Sequence, residues 1–246
     1  MFDFFSRKKF LVDYLEGFVD VHNHILPGID DGAATVEESI GLVRGFGEFG
    51  LTRFVATPHI MHNLYPNTPE TINGALDKLK RALMDNGIRD VSVAAAAEHM
   101  IDDNFETILE KGEVMGLKKE HILVEMSFLQ APINFDQAIG KITSKWMFPV
   151  LAHPERYKFL HQRMRKYAGF REQGILLQLN LLSLCDYYDK DVQKMALKLL
   201  DEGLINFVAS DVHRLEHLEI LKETTLPDKV FRQLIPVIHK TIETFY

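Results

Sequence analysis

The chain has 246 residues, of which 46% are hydrophobic and 26% charged, and its formal net charge is -7. That composition supports a sizeable core, in one large α/β domain or two small ones. The acidic balance argues against nucleic acid or an anionic membrane held through bulk charge. A single cysteine, Cys185, excludes an intrachain disulfide and fits a reducing compartment.

In chain order, the first 17 residues put aromatics ahead of a basic cluster, with no small-residue cleavage site after an apolar stretch. They make a poor signal peptide and read as an N-terminal extension, a short helix packed on the domain. No apolar run is long enough to cross a bilayer. The expected protein is cytoplasmic, without membrane insertion, and forms one domain over 18–246.

Seven strand-length apolar runs follow: FVDV at 18–21, RFVAT at 53–57, VSVAAAA at 91–97, ILVEM at 122–126, FPVLA at 148–152, ILLQLN at 175–180 and INFVAS at 205–210. Nearly continuous apolar character is expected of strands buried on both faces. Helix signals lie between them. Thr35 to Glu38 reads as a capping box opening a helix that should stop near Gly50. Thr68-Pro69-Glu70 opens a second helix. Lys190 to Glu202 is amphipathic and ends at Gly203. This alternation predicts a parallel sheet flanked by helices. Seven units at this length suggest a closed or nearly closed barrel, with an open doubly wound sheet as the alternative.

Chemistry-bearing residues sit where the strands end. His22 and His24 follow the first strand inside DVHNHILPGIDDG, and His59 follows the second in TPH. Glu98 and His99 follow the third, Glu125 closes the fourth, and His153 follows the fifth in AHPERY. Asn180 ends the sixth, and Asp211 and His213 follow the seventh in SDVH. In a parallel barrel these positions converge on the C-terminal face. A lone H-x-H could be a chance pair on one face of a strand, and a lone His59 could be a satisfied core histidine. A carboxylate ending an apolar strand is costly to bury unpaired, so Glu98 and Glu125 need a cation or a hydrogen-bond network. Imidazole and carboxylate donors without thiolates suit Mn, Fe or Zn. His62, His99, His161, His217 and His239 fall off the pattern and read as surface or supporting residues.

These motifs, D-V-H-N-H with D-D-G after it, T-P-H, A-E-H, V-E-M, A-H-P-E-R-Y and S-D-V-H, resemble the PHP (polymerase and histidinol phosphatase) superfamily. The resemblance is closest to its bacterial manganese-dependent protein tyrosine phosphatases from capsule and exopolysaccharide loci, and it runs from about residue 18 to about residue 215. It implies a distorted, incomplete (β/α)7 TIM-like barrel, the PHP fold, holding three divalent ions, with Mn2+ in first place and Fe or Zn as alternatives. Carried over by motif, the metal ligands are His22, His24, Asp31, His59, Glu98, Glu125, His153, Asp211 and His213, with Glu98 bridging two ions. Asp30 is expected to shape the turn.

The implied reaction is hydrolysis of a phosphomonoester by a metal-bridging hydroxide. Arg156 matches the family's phosphate-binding arginine; a structural ion pair with Glu155 or a nearby carboxylate is the alternative. The family's second arginine beyond the last D-x-H is unmatched, and Arg214 is the possible substitute. His59, His153 or Asp211 could protonate the leaving group. The implied substrate is the phosphotyrosine-containing tail of a membrane-bound tyrosine autokinase. The segment His62 to Asn67 is either a rim against the phosphotyrosine ring or a turn leading into the helix at Pro69.

Two signatures are missing. Cys185 has no arginine at the spacing of a cysteine-type phosphatase loop, and no G-x-x-x-x-G-K-[ST] occurs. The competing readings are a histidinol-phosphate-like small-molecule phosphatase with the same metal centre, a metal-dependent amidohydrolase, and a catalytically dead binding barrel. Glu125 stands where amidohydrolases usually carry a carboxylated lysine.

Overall fold

The computed structural model describes residues 9–118 and 120–246. Its parallel strands run in two sheets. One has the order β1 (Val19–Asp20), β2 (Arg53–Ala56), β4 (Ser92–Ala95); the other runs β3 (His59–Ile60), β5 (Glu98–Met100), β6 (His121–Glu125), β7 (Phe148–Ala152), β8 (Leu176–Asn180), β9 (Phe207–Ala209). Each of the seven expected runs supplies a strand. The two short strands, β3 and β5, were not legible. Each continues the line of the strand before it. Thr57 and Pro58 separate β2 from β3, where the proline has no N–H for the ladder, and Ala96 and Ala97 separate β4 from β5. Seven staves result.

The first and last staves meet, so the sheet is not open. Asn23 and Val212 form a parallel bridge. Asp211 N donates to His22 O at 2.8 Å, and His24 N donates to Val212 O at 2.9 Å. Below this level side chains replace the ladder. The Asp20 carboxylate accepts from Ser210 N at 2.8 Å and from Ser210 Oγ at 2.6 Å. Val208 N donates to Thr241 Oγ1 on the C-terminal helix at 3.1 Å. This is a barrel of seven staves, closed by backbone at one end and by side chains at the other. Burial pushes the Asp20 carboxyl up to about 6, against the pull of its two bonds from Ser210.

Helices α1 (Val36–Gly47), α2 (Pro69–Asp85), α3 (Phe105–Lys111), α4 (Phe135–Ser144), α5 (Met164–Glu172), α6 (Lys190–Asp201), α7 (Leu215–Glu223) and α8 (Asp228–Phe245) lie between the staves in sequence and after the last of them. Their starts follow local chemistry. The Thr68 side chain accepts from Thr71 N, and the Thr71 side chain returns the bond, with Pro69 in the first turn. Asp189 accepts from Asp191 N and Val192 N to open α6. At α1 the capping box is incomplete. Thr35 accepts from Glu38 N, but the Glu38 carboxylate takes Ala34 N instead of Thr35 N. That helix ends at Gly47, three residues before the expected stop.

Two apolar cores result. A small one gathers Val19, Val21, Val55, Leu123, Val150, Ala152 and Ala209 from the staves, with Phe207 and Phe245. A larger one joins staves to helices and includes Leu11 and Leu15. Leu11–Tyr14 forms a short 3-10 helix, and Leu11 N donates to Thr224 O at 2.8 Å. The expected N-terminal helix falls partly on residues 1–8, outside the described residues. Among the described residues, no helix is long and apolar enough to cross a membrane.

Candidate metal centre and phosphate pocket

The segment leaving β1 is built to aim two imidazoles. His22 Nδ1 pairs with Gln178 Oε1 at 2.8 Å and His24 Nδ1 with Asp30 Oδ2 at 2.8 Å. Both Nε2 atoms therefore face inward. They lie 3.2 and 3.6 Å from Glu98 Oε2, and 3.3 and 3.4 Å from Asp211 Oδ1. Asp30 does more than shape a turn. It accepts from Gly32 N, as a turn aspartate does, but also from His59 N at 3.2 Å, so it ties the two histidine segments together. Gly32 packs against the backbone of His24, where an added Cβ would lie 2.1 Å from His24 O. The D-D-G run thus fixes the H-x-H.

Glu98 is the hub of the remaining groups. Its Oε2 is 3.0 Å from His59 Nδ1 and its Oε1 is 2.9 Å from His153 Nε2. Glu125 Oε1 is 2.9 Å from the same His59 nitrogen. Further out, Asp31 Oδ1 lies 3.4 Å from His59 Nε2 and 3.6 Å from His213 Nε2. All nine carried-over residues therefore fall in one region. They form overlapping groups able to hold a cation: His24, Asp31, His59 and His213; His22, His24 and Asp211; His22, Glu98 and His153; His59, Glu98 and Glu125. His153 and Asp211 carry positive φ angles of 33° and 55°, costly for non-glycine residues and typical of functional strand ends.

Satisfaction of these atoms decides what the cluster suits. His22 Nε2, His24 Nε2, His59 Nδ1, Glu98 Oε2 and Glu125 Oε1 are buried without a hydrogen-bond partner. Such atoms are costly unless something else meets them. The four inner atoms of His22, His24, Glu98 and Asp211 are 3.2–3.6 Å apart across their imidazole–carboxylate pairs. Ligands on one ion at bond lengths of about 2.1 Å stand roughly 3.0–3.4 Å apart. The donor set fits a divalent cation.

Electrostatics agree. Burial alone would raise Glu98, yet the His22 and His59 charges hold it well below the ordinary carboxylate range. Asp211 is likewise held low against burial, by His22 first. Burial would lower His24, but the nearby Asp30 and Asp211 carboxylates raise it to about 10. His59 is raised well above its ordinary value by Glu98 and Glu125 against the same penalty. The carboxylates call for positive charge, and divalent ions meet that demand without protonating the imidazoles.

Beside the cluster opens a pocket of about 160 Å3, whose lining includes Phe128, Arg156, Tyr187, Tyr188 and Arg214. Arg156 Nη1 donates to Asp211 Oδ2 at 3.0 Å. Its guanidinium lies 4.5 Å from the Phe128 ring centre and 4.3 Å from that of Tyr188. The ion pair considered from sequence exists, but to Asp211; Glu155 instead accepts from Asn180 N in the interior. Arg214 reaches the pocket from the start of α7, with Nε 3.0 Å from His217 Nε2.

Several supporting residues escaped the sequence reading. Gln178 was legible in principle, since it and Asn180 stand two apart on one face of an apolar strand. Asn180 Nδ2 donates to Asp211 Oδ2 at 2.6 Å. Phe128, Tyr187 and Tyr188 come from loops and carried no local signal. Of the histidines set aside, His62 and His239 are exposed. His161 is half-buried and bonds Glu155 O, and His217 supports the site by accepting from His213 N. His99 is different. It is fully buried, with Nδ1 at Leu123 O and Nε2 at Met115 N, because alternation turns it away from Glu98.

The chain is similar to known proteins over most of its length. A family model described as capsular polysaccharide synthesis, CpsB/CapC, matches residues 18–220. Tyrosine-protein phosphatase YwqE of Bacillus subtilis is 32% identical over 199 residues, covering 80% of this chain and 78% of that protein. Tyrosine-protein phosphatase CpsB of Streptococcus pneumoniae is 26% identical over 204 residues, covering 80% of this chain and 84% of that protein. A crystal structure from work on YwqE and CpsB, described as unique metal-dependent tyrosine phosphatases, superposes with a TM-score of 0.76 at 27% identity. It covers 90% of this chain and 94% of its own.

Proposed function

The chain belongs to the CpsB/CapC family of capsular polysaccharide synthesis proteins, and from that premise we propose that it is a metal-dependent protein tyrosine phosphatase. The observation that carries the reading is the set of buried, unpartnered imidazole and carboxylate atoms around Glu98, next to a pocket holding an arginine. The reading extends to three divalent ions, Mn2+ before Fe or Zn. Their ligands are His22, His24, Asp31, His59, Glu98, Glu125, His153, Asp211 and His213.

Bound divalent ions supply two things here, a lowered pKa for water and positive charge for phosphoryl oxygens. The remaining work belongs to the chain. Arg156 presents a planar fork to the phosphate, its guanidinium carbon over the faces of Phe128 and Tyr188. Asp211 divides its labour. Oδ1 faces the imidazoles of His22 and His24, while Oδ2 takes donors from Arg156, Asn180 and Tyr188. It therefore fixes the arginine relative to the cluster. A phenolate, with a conjugate-acid pKa of about 10, leaves with little protonation. Of the two proton donors considered, His59 and Asp211, His59 is the one proposed: its side chain is the more open, 12% exposed against 2%, while Asp211 is held low as a carboxylate that already accepts three bonds.

The proposed substrate is the phosphotyrosine-bearing tail of a tyrosine autokinase that regulates capsule or exopolysaccharide synthesis. The family and the phosphatase relatives support this reading. The competing reading, a small-molecule phosphatase on the same centre, is separated by turnover of a phosphotyrosyl peptide against histidinol phosphate. Preference for the peptide is expected; preference for histidinol phosphate overturns the assignment. His22→Ala and Glu98→Ala should each abolish hydrolysis and lower metal content.

A further inference from the structure

Two cavities meet at the metal cluster. The first is the pocket around Arg156. The second is a groove of about 560 Å3 that runs from Asp31, His59, Glu125 and Phe128 out past Met61, Leu64, Tyr65, Met100 and Pro132. Those first four residues also line the pocket, so the two form one continuous path. A phosphoryl group bound at the cluster must send its leaving group along one exit, and this groove is the apolar one.

Its walls are built for that role. The Tyr65 ring stacks on His59 with centroids 5.5 Å apart and planes 12° from parallel. Phe128 lines the same groove and has Arg156 over its ring. Ten large apolar side chains are left exposed among the described residues, and four of them, Leu64, Phe128, Leu129 and Ile133, sit on the two loops that carry the groove. Leu64 is 62% exposed. The His62 to Asn67 loop is not loosely held. Met61 N donates to Tyr65 O, Tyr65 N donates to Met61 O, and His62 N donates to Asp102. Apolar side chains gathered along one groove, rather than scattered singly, mark a surface that a partner covers.

Resting on the phosphatase reading above, we propose that this groove selects the peptide around the phosphotyrosine. The aryl ring lies against Tyr65 and Phe128, and one adjacent apolar side chain of the substrate covers Leu64, Met61 and Met100. The groove is far larger than one phenol ring, which argues for a neighbouring residue as well. The occupant is thus a phosphotyrosyl segment with an apolar neighbour, and neither a free amino acid nor a strongly acidic peptide fills the site.

The test uses the metal-loaded enzyme and three substrates: 4-nitrophenyl phosphate, a phosphotyrosyl peptide with leucine on both sides, and the same peptide with aspartate there. The wild type should favour the leucine peptide over the aspartate peptide by roughly 10-fold in kcat/KM, mostly through KM, as expected for one apolar contact. Leu64→Ser should remove that preference and leave 4-nitrophenyl phosphate turnover unchanged, since Leu64 touches no reacting group. Met100→Ser provides a second variant with the same expectation, should Leu64→Ser prove unstable. Equal rates on both peptides in the wild type, or a Leu64→Ser loss of equal size on all three substrates, overturns the groove. No hydrolysis of any of them by the wild type defeats the phosphatase reading itself, a separate outcome.

Discussion

Arg156 and Asp211 are joined by a 3.0 Å contact between Nη1 and Oδ2, while the other oxygen of Asp211 faces the imidazoles of His22 and His24. One carboxylate thus sets the arginine against the candidate metal site. If Arg156 grips the phosphoryl oxygens as proposed, Arg156→Ala should cut catalytic efficiency by about 2–4 kcal/mol, roughly 30- to 1000-fold, because those contacts tighten in the transition state. Metal content and melting temperature should change little, as Asn180 and Tyr188 still bond Asp211. Arg156→Lys should recover only part of the rate, since an ammonium lacks the fork. Loss of metal in proportion to activity would make Arg156 a structural partner of Asp211, and Arg214 the next phosphate ligand to test.

Cys185 stands apart from the chemistry. It is half-buried, donates to Leu182 O at 3.1 Å and does not line the pocket. Cys185→Ser should keep near-normal activity, and thiol alkylation should not inactivate the enzyme, whereas a chelator should. Steady-state rates after each treatment check this, and an alkylation-sensitive, chelator-resistant enzyme would point to thiolate catalysis.

Gly32 has no room for a side chain. A Cβ there meets His24 O at 2.1 Å and His24 Cβ at 2.5 Å. Gly32→Ala must push the Asp30 turn away from His24, which frees the imidazole that Asp30 orients. Metal occupancy and hydrolysis should both fall by roughly 10-fold or more, with the barrel still folded by circular dichroism. An alanine variant with full occupancy would show that the turn relaxes without moving His24.

His121 gives the fold a pH dependence remote from the site. Its ring packs against Phe148, Phe207 and Phe245, and burial lowers its pKa from 6.5. The folded state therefore binds fewer protons here than the unfolded chain. The stability that follows is present above about pH 6.5 and is lost as pH falls through the lowered value. Melting temperatures of wild type and His121→Phe, followed from pH 7.5 to 5, should shift in favour of the variant as acid is added. A constant gap would mean that the imidazole titrates normally.

Much of the fold was readable because buried strands write themselves as apolar runs. The staves at 121–125, 148–152 and 176–180 are the clearest cases. Strands β3 and β5 were not readable, being two and three residues long beyond a break. The candidate cluster was legible because most of its donors lie at or just beyond the C-terminal ends of staves; Asp31, out in the loop after β1, came only from the motif. Asp30 was only half legible: its turn role is local, while its hold on His24 and His59 is tertiary. The Phe128–Arg156–Tyr188 group had no sequence signature, since its members come from separate loops and meet only across the pocket mouth.

The central claim is that bound divalent ions at the Glu98 cluster are required for phosphotyrosine hydrolysis. The most direct test is elemental analysis of the purified protein, paired with phosphatase rate on a phosphotyrosyl peptide as Mn2+, Fe2+ or Zn2+ is returned singly to chelator-stripped enzyme. The expected result is bound transition metal as purified, loss of activity on stripping, and recovery that is largest with Mn2+ and absent in Glu98→Ala. A protein that purifies without transition metal and gains nothing when Mn2+ is added would contradict the account.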